Sequence, residues 1–194
     1  QILYEVLNER DGYLAERTYA VMADMEAVMR EHGIAQFTVD GHRPVRSFDL
    51  FGLSFSTELG YTNMLTALVL AGIALHARDR TEDDPIVGAG GHSAFNPEPI
   101  ADFVDAAVAG DGEEVVLVIS EVVREWKAEG KPGGRDEVLA RLAASGGVYV
   151  PKFYDVTYLE NGQIEAITPN RPGVPETVAK HTLMDLDKWP YPKK

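Results

Sequence analysis

The 194-residue chain is 45% hydrophobic and 25% charged, and it contains no cysteine. The missing cysteine excludes a thiol nucleophile, a disulfide framework, a cysteine zinc site and a cysteine-ligated iron–sulfur cluster held by these residues. With 18 Lys and Arg against 31 Asp and Glu, the net charge of -13 opposes binding to nucleic acids or anionic membranes. Since no apolar run could cross a bilayer and no signal sequence opens the chain, we expect a cytoplasmic protein.

The first eight residues have the apolar spacing of a helix, yet no capping residue precedes them. We therefore expect the chain to begin inside an element, with further sequence upstream of Gln1. Residues 14–20 are a candidate strand, and residues 22–32 predict a helix that ends at Gly33. This helix carries three methionines on one stripe, interpreted as core packing: Met22, Met25 and Met29. Residues 34–39 predict an edge strand.

Strand-to-helix units follow. Residues 48–55 are almost continuously apolar, as in a central strand that is covered on both faces. They lead into Ser56 and Thr57, whose hydroxyls are suited to capping the apolar helix predicted at residues 59–73. Two further strands that end in glycine turns are predicted at residues 85–91 and 104–109.

The helix after the third glycine turn is predicted to end near residues 127–130. Asp111 and Glu114 have the spacing of a capping box. The predicted apolar face of this helix comprises Val115, Val118, Ile119, Val122 and Trp126. Another helix is predicted at residues 135–144.

The pattern then changes. Residues 154–160 and 163–168 alternate around an Asn-Gly pair, which predicts a β-hairpin. Residues 170–194 are rich in proline and predict an extended connector, with one short strand near residues 177–183.

Together these elements predict an α/β fold, a Rossmann-like, doubly wound and mostly parallel sheet with a C-terminal β-hairpin and an extended linker. We expect the sheet domain at residues 1–150, the hairpin at residues 151–169 and the linker at residues 170–194.

Ligands of open parallel sheets bind beyond the carboxyl ends of the strands, where three turns of this chain are expected to meet. The candidate ligand-contacting residues there are Ser54, Ser56, Thr57, Gly90, Gly91, His92, Gly110, Asp111 and Gly112. Glycine allows close backbone approach and hydroxyls form hydrogen bonds, although the same residues also serve plain turns and helix caps. The carboxylates of Glu113 and Glu114 would repel a diphosphate at this helix start, and no nucleotide-binding glycine motif is present. A neutral or amide-rich ligand therefore fits this edge best.

Two other chemistries have weaker support. The five histidines lie far apart with no pair at i, i+4, so a metal site would need distant segments. His92, Ser93 and Asp111 could be combined as a hydrolytic triad, but no Gly-x-Ser-x-Gly elbow is present.

Four segments together resemble a known family. They are residues 53–63 (LSFSTELGYTN), the paired glycines 90–91 followed by residues 95–103 (FNPEPIADF), residues 110–114 (GDGEE) and residues 183–192 (LMDLDKWPYP). The combination resembles the N-terminal domain of cobalamin-binding-type radical S-adenosylmethionine (radical SAM) proteins. The last segment looks like the linker that enters their radical barrel.

The resemblance implies a Rossmann-like domain of the cobalamin-binding type, with its first strand upstream of Gln1, followed by a radical SAM domain in the same polypeptide as its partner. That domain would hold a four-iron cluster through Cys-x-x-x-Cys-x-x-Cys and cleave S-adenosylmethionine, so both cofactors belong downstream of Lys194. Cobalamin is the cofactor implied for the present segment, which has no catalytic residues of its own. Residues 40–45 lack the glycine of the lower-axial histidine motif Asp-x-His-x-x-Gly, and that partial match is interpreted as chance. Two functions stay open: cobalamin binding or substrate positioning at the sheet edge, and a ligand-free scaffold that packs against the barrel.

Overall fold

The computed structural model describes residues 1–189, so the last five residues of the predicted linker lie outside it. The helices are α1 (Ile2–Asn8), α2 (Ala23–His32), α3 (Tyr61–Ala71), α4 (Gly112–Ala128) and α5 (Gly134–Ala144). The strands are β1 (Leu50–Ser54), β2 (Ile86–Gly90), β3 (Ala106–Val108), β4 (Val148–Tyr149), β5 (Tyr154–Tyr158) and β6 (Ile164–Pro169). Each predicted helix is present, although α3 is shorter than expected.

Strands β1 to β4 form one sheet in that order. The first three strands are parallel and β4 is antiparallel to β3. The register pairs Ser54 with Gly90, so the carboxyl ends of β1 and β2 meet at one edge. The prediction of a mostly parallel α/β sheet is therefore confirmed. The sequence does not predict β4, because two residues are too few to show an alternating pattern.

Helices cover both faces of this sheet. Val87 and Ala107 belong to a buried cluster with α3, whereas Ile86 and Ala106 belong to a second cluster with α4 and α5. Successive strand residues point to opposite faces, which explains how neighbouring residues enter different clusters. The doubly wound arrangement is confirmed.

The prediction that β1 is a central, fully covered strand is wrong. It lies at one end of the four-stranded order, and Gly52 and Ser54 are exposed. The hydroxyl-capping prediction also fails, because a short 3-10 turn at Glu58–Gly60 precedes α3 and no side chain caps either helix.

Residues 14–20 and 34–39 form no strand in the described part of the chain. A single antiparallel bridge joins Phe37 to Pro44, and Pro44 has no N–H to extend the pairing. The two stretches are linked by one backbone bond, from the Val39 N–H to the Arg17 carbonyl at 2.8 Å, and by side chains such as the Thr18 hydroxyl, which donates to the Phe37 carbonyl at 2.8 Å.

Helix α2 ends at Gly33, which takes the left-handed conformation with φ +63° as predicted. The core interpretation of the three methionines holds for Met29, which is 1% exposed. It is wrong for Met22 and Met25, which are 78% and 49% exposed. Met22 is the N-cap rather than a helical residue, so it does not share the buried face.

Helix α4 departs from the predicted capping box. Asp111 is the N-cap residue, but its side chain makes no capping bond. Its Oδ2 accepts instead from the Leu183 N–H at 2.8 Å, because a distant segment lies over the start of the helix. Val115, Val123 and Trp126 are buried as the core side of α4, whereas Val118 of the predicted face is 36% exposed.

Strands β5 and β6 form the predicted antiparallel hairpin. The chain that follows forms no further α-helix or strand up to residue 189, and it contains a turn at residues 171–174 and a 3-10 turn at Leu186–Lys188. In place of the short strand predicted at residues 177–183, one parallel bridge joins Gly110 to His181. No helix within residues 1–189 combines the length and the apolar content that crossing a bilayer requires.

Candidate functional site

The first two turns of the predicted site pack directly against each other. The Phe55 N–H donates to the Gly90 carbonyl at 2.8 Å, and the Ser93 N–H donates to the Phe55 carbonyl at 3.2 Å. A Cβ on Gly91, whose φ is +92°, would lie 2.6 Å from the Phe55 carbonyl oxygen. Gly91 is therefore required by the neighbouring backbone of the same chain.

Tyr61 fixes this pair of turns from the start of α3. Its hydroxyl donates to the Ser93 carbonyl at 3.2 Å, and its ring packs edge-on against Phe55 with centroids 5.2 Å apart. Burial, together with the Glu58 carboxylate, raises the pKa of Tyr61, so the phenol stays protonated and keeps donating.

Four of the predicted site residues remain open at these turns. Ser54, Ser56, Thr57 and His92 are exposed. Their side chains form no hydrogen bond with any residue between 1 and 189, so they are free to bond to a partner or ligand.

The third turn is covered by the C-terminal segment of the chain, residues 180–183, which we call the strap. The His181 N–H donates to the Ala109 carbonyl at 2.7 Å, and the Asp111 N–H donates to the His181 carbonyl at 3.0 Å. Together with the bond from Leu183 to the Asp111 carboxylate, these contacts bind the strap to both sides of the turn.

The glycines of the third turn are explained by this packing. A Cβ on Gly110, whose φ is +124°, would lie 1.9 Å from the His181 carbonyl oxygen. On the other side, a Cβ on Gly112 would lie 3.3 Å from the side chain of Leu3 in α1. The N-terminal helix and the C-terminal strap therefore enclose the third turn from two sides.

The strap also reaches the second turn. Lys180 Nζ lies 5.6 Å from the centre of the Phe95 ring, and the Phe95 ring lies 6.3 Å from the His92 ring. His181 Nε2 lies 3.0 Å from Glu114 Oε2 at the start of α4. The strap thus joins the second and third turns.

The hydrolytic triad is not assembled. Ser93 is buried and its hydroxyl has no partner within residues 1–189, while the Asp111 carboxylate is bonded to the strap. The part of the chain that the structure describes also contains no cluster of three His, Asp or Glu side chains that could hold a metal ion.

Comparison with models of known protein families gives a match that covers most of the chain. A family model described as "Radical SAM proteins, N-terminal" matches residues 1–151. The chain belongs to the radical SAM N-terminal family. Membership implies a radical SAM domain in the same polypeptide, which would bind S-adenosylmethionine and an iron–sulfur cluster. No curated protein and no solved structure gives a significant match.

The third turn of this radical SAM N-terminal domain does not fit a corrin. A ligand of that size needs a concave site that buries most of its surface. His181 lies against Gly110 and Leu3 lies against Gly112, so the space that these glycines would offer is filled by the chain itself. Residues 1–194 also supply no cysteine ligand for an iron–sulfur cluster.

Two cavities lie away from the predicted edge. One of about 550 Å³ is lined by residues 80–83 and 133–136, and the other of about 380 Å³ lies between α2 and α3. Neither is lined by a predicted site residue.

Sequence reasoning missed a buried ion network at the opposite, amino edge of the sheet. Asp105 Oδ2 accepts from Arg80 Nη1 at 2.8 Å and from Arg135 Nη2 at 2.7 Å. The same oxygen accepts from the Val87 N–H at 2.7 Å. The side chains of Asp105 and Arg80 are 1% and 0% exposed. Burial lowers the pKa of Arg80, an effect that Asp105 opposes by favouring the charged form.

One signal in the sequence could have revealed this network. Asp105 stands alone among apolar residues at the start of β3. A buried carboxylate needs a charged or hydrogen-bonded partner, and that requirement predicts an arginine nearby. It does not predict which arginine, because Arg80 and Arg135 are 25 and 30 residues away along the chain.

Proposed function

We propose that this domain is a corrin-free accessory module, which packs against the radical SAM domain of its own polypeptide and has no catalytic residues. The observation that carries the proposal is the closed third turn, where His181 leaves no room beside Gly110. The exposed apolar surface of the hairpin adds support, because such surfaces mark sites of protein contact. On the sequence composition alone, we also propose the cytosol as its compartment.

The test is incubation of the full polypeptide with excess hydroxocobalamin, followed by gel filtration. We expect the corrin absorbance to separate from the protein peak. Corrin that elutes with the protein at one equivalent would overturn the corrin-free part of the proposal.

A second candidate function is the binding of cobalamin or substrate at the open turns. It is favoured by the exposure of Ser56, Thr57 and His92 and by the absence of hydrogen-bond partners for these side chains within residues 1–189. If corrin does elute with the protein, the triple substitution of these residues by alanine should reduce the bound fraction. An unchanged bound fraction would place the corrin elsewhere in the polypeptide.

A further inference from the structure

The hairpin of β5 and β6 has one polar and one apolar face. Directly opposed residues of an antiparallel pair share a face. Val156 pairs with Ile167 and Tyr158 pairs with Ile164, so four apolar side chains lie together. The intervening pairs, Asp155 with Thr168 and Thr157 with Ala166, form the other face.

A β-bulge creates this apolar face. Ile164 and Ile167 are three residues apart, and a regular strand would direct them to opposite faces. The register shifts between Thr157 and Tyr158, so Glu165 is passed over and Ile164 joins the face of Ile167. A bulge leaves one residue unpaired and interrupts the hydrogen bonds between the two strands. Its presence here therefore favours a functional role for the apolar face that it produces.

The apolar face is anchored at one end and open along the rest. At the base, Tyr154 is buried, its hydroxyl donates to the Pro175 carbonyl at 2.8 Å, and its ring lies 4.7 Å from that of Tyr149. Further out, the side chains of this face are exposed: Tyr158 by 60%, Ile164 by 46% and Ile167 by 38%. An isolated two-stranded hairpin is marginal in water, and an apolar patch at its outer end favours a contact surface.

Charge identifies the kind of partner. Residues 154–169 contain no lysine or arginine, and their acidic residues are Glu160 in the turn, Glu165 at the bulge and Asp155 on the other face. Two copies that met through this face would bring like charges together, on chains that already carry a net charge of -13. A second copy of the chain is therefore disfavoured, and a surface with basic residues around an apolar centre is favoured.

We propose that the apolar face of the hairpin docks into an apolar groove with a basic rim on the radical SAM domain of the same polypeptide, a contact that rests on the proposed function. The family match ends at residue 151, and the hairpin begins three residues later. Because both surfaces belong to one chain, their effective concentration is high and a small interface suffices.

The test places a photoreactive p-benzoylphenylalanine in the full polypeptide, in separate variants at Tyr158 and Thr157. These neighbours are both exposed, and successive strand residues point to opposite faces. After illumination and proteolysis, we expect position 158 to crosslink to peptides C-terminal to Lys194 of the same polypeptide. The yield should exceed that from position 157 by at least about fivefold, because the two side chains face opposite ways.

Three results would overturn the docking surface: no crosslink from either position, equal yields from both, or crosslinks between two polypeptides. Ile164→Lys should lower the crosslink yield from position 158 if the groove is apolar with a basic rim, and an unchanged yield would contradict that chemistry. The corrin experiment is independent of these outcomes. If corrin binds and position 158 crosslinks, the corrin-free part of the proposed function is wrong and the docking surface stands. If no corrin binds and position 158 gives no crosslink, the docking surface alone is wrong.

Discussion

Asp105 links the loop before β2, strand β2 and helix α5 at the amino edge of the sheet. Its single carboxylate pairs with two arginines that belong to different segments, and it also accepts from the backbone N–H of β2 at Val87. Removing one partner of such a buried set leaves the others charged and desolvated, which costs more than the original contacts contributed. The stability of the sheet therefore depends strongly on this one carboxylate.

Asp105→Asn should lower the free energy of unfolding by about 3–5 kcal/mol, because two arginines would lose their buried counter-charge. The measurement is urea unfolding followed by far-UV circular dichroism. Asp49→Asn is the matched control, since Asp49 pairs with Lys127 at the surface and the two side chains are 56% and 43% exposed. The control should cost less than about 1 kcal/mol. Equal losses in the two variants would contradict the role assigned to Asp105.

At the scale of elements, packing of the strap explains why residue 110 is a glycine. Glycine turns at the carboxyl edge of a parallel sheet predict close approach by a ligand, and here the close approach is made by His181 of the same chain. The sequence cannot distinguish approach by a ligand from approach by a segment of the same chain, because glycine avoids a steric clash in both cases.

Gly110→Ala should detach the strap, because the new Cβ would overlap the His181 carbonyl oxygen. The free energy of unfolding should fall by about 1–3 kcal/mol more than in the control, as for other overpacked sites. Gly130→Ala is the control: Gly130 also has a positive φ, of +86°, but nothing lies within 4 Å of its added Cβ. Hydrogen exchange should show faster exchange at the His181 and Leu183 amides in the first variant alone. Retained protection at those two amides would mean that the strap tolerates the overlap.

Elements whose signals are local were predictable from the sequence. The end of α2 at Gly33 and the hairpin around Gly162 depend on backbone conformations that glycine favours at those positions. Features that depend on distant segments were not predictable. The Asp111 carboxylate binds the strap rather than its own helix, and the hydroxyls of Ser56 and Thr57 do not cap α3. Similarly, no local pattern could show that Leu3 and His181 would close the third turn.

At the scale of the whole molecule, segments near both ends of the described chain contact α4. Helix α1 packs along α4 with Val6 buried, and the strap contacts Asp111 and Glu114. A further link joins Tyr13 to Glu121, 108 residues later, where the phenol donates to the carboxylate. The Arg124 side chain and this phenol lower the pKa of Glu121 to about 2.

The link through Glu121 should weaken in acid. Its folded-state pKa of about 2 lies below the ordinary value of 4.5, so its stabilisation is complete above pH 4.5 and is lost as the pH falls towards 2. Urea unfolding of the wild type and Glu121→Gln should therefore differ most near pH 6 and progressively less between pH 4.5 and 2. Glu176→Gln, at an exposed position, should show no such trend. A constant difference between wild type and Glu121→Gln at all pH values would contradict the assigned link.

The bond from Leu183 to Asp111 also limits how far the following chain can move. Val174 and Val178 pack against the core beside α4 and α5, so without the strap a free tether would start at residue 179. Fixing residue 183 removes the 5 residues 179–183 from that tether, which at full extension would span about 17 Å. Release of the strap would therefore lengthen, in one step, the tether that leads to the radical SAM domain implied by the family.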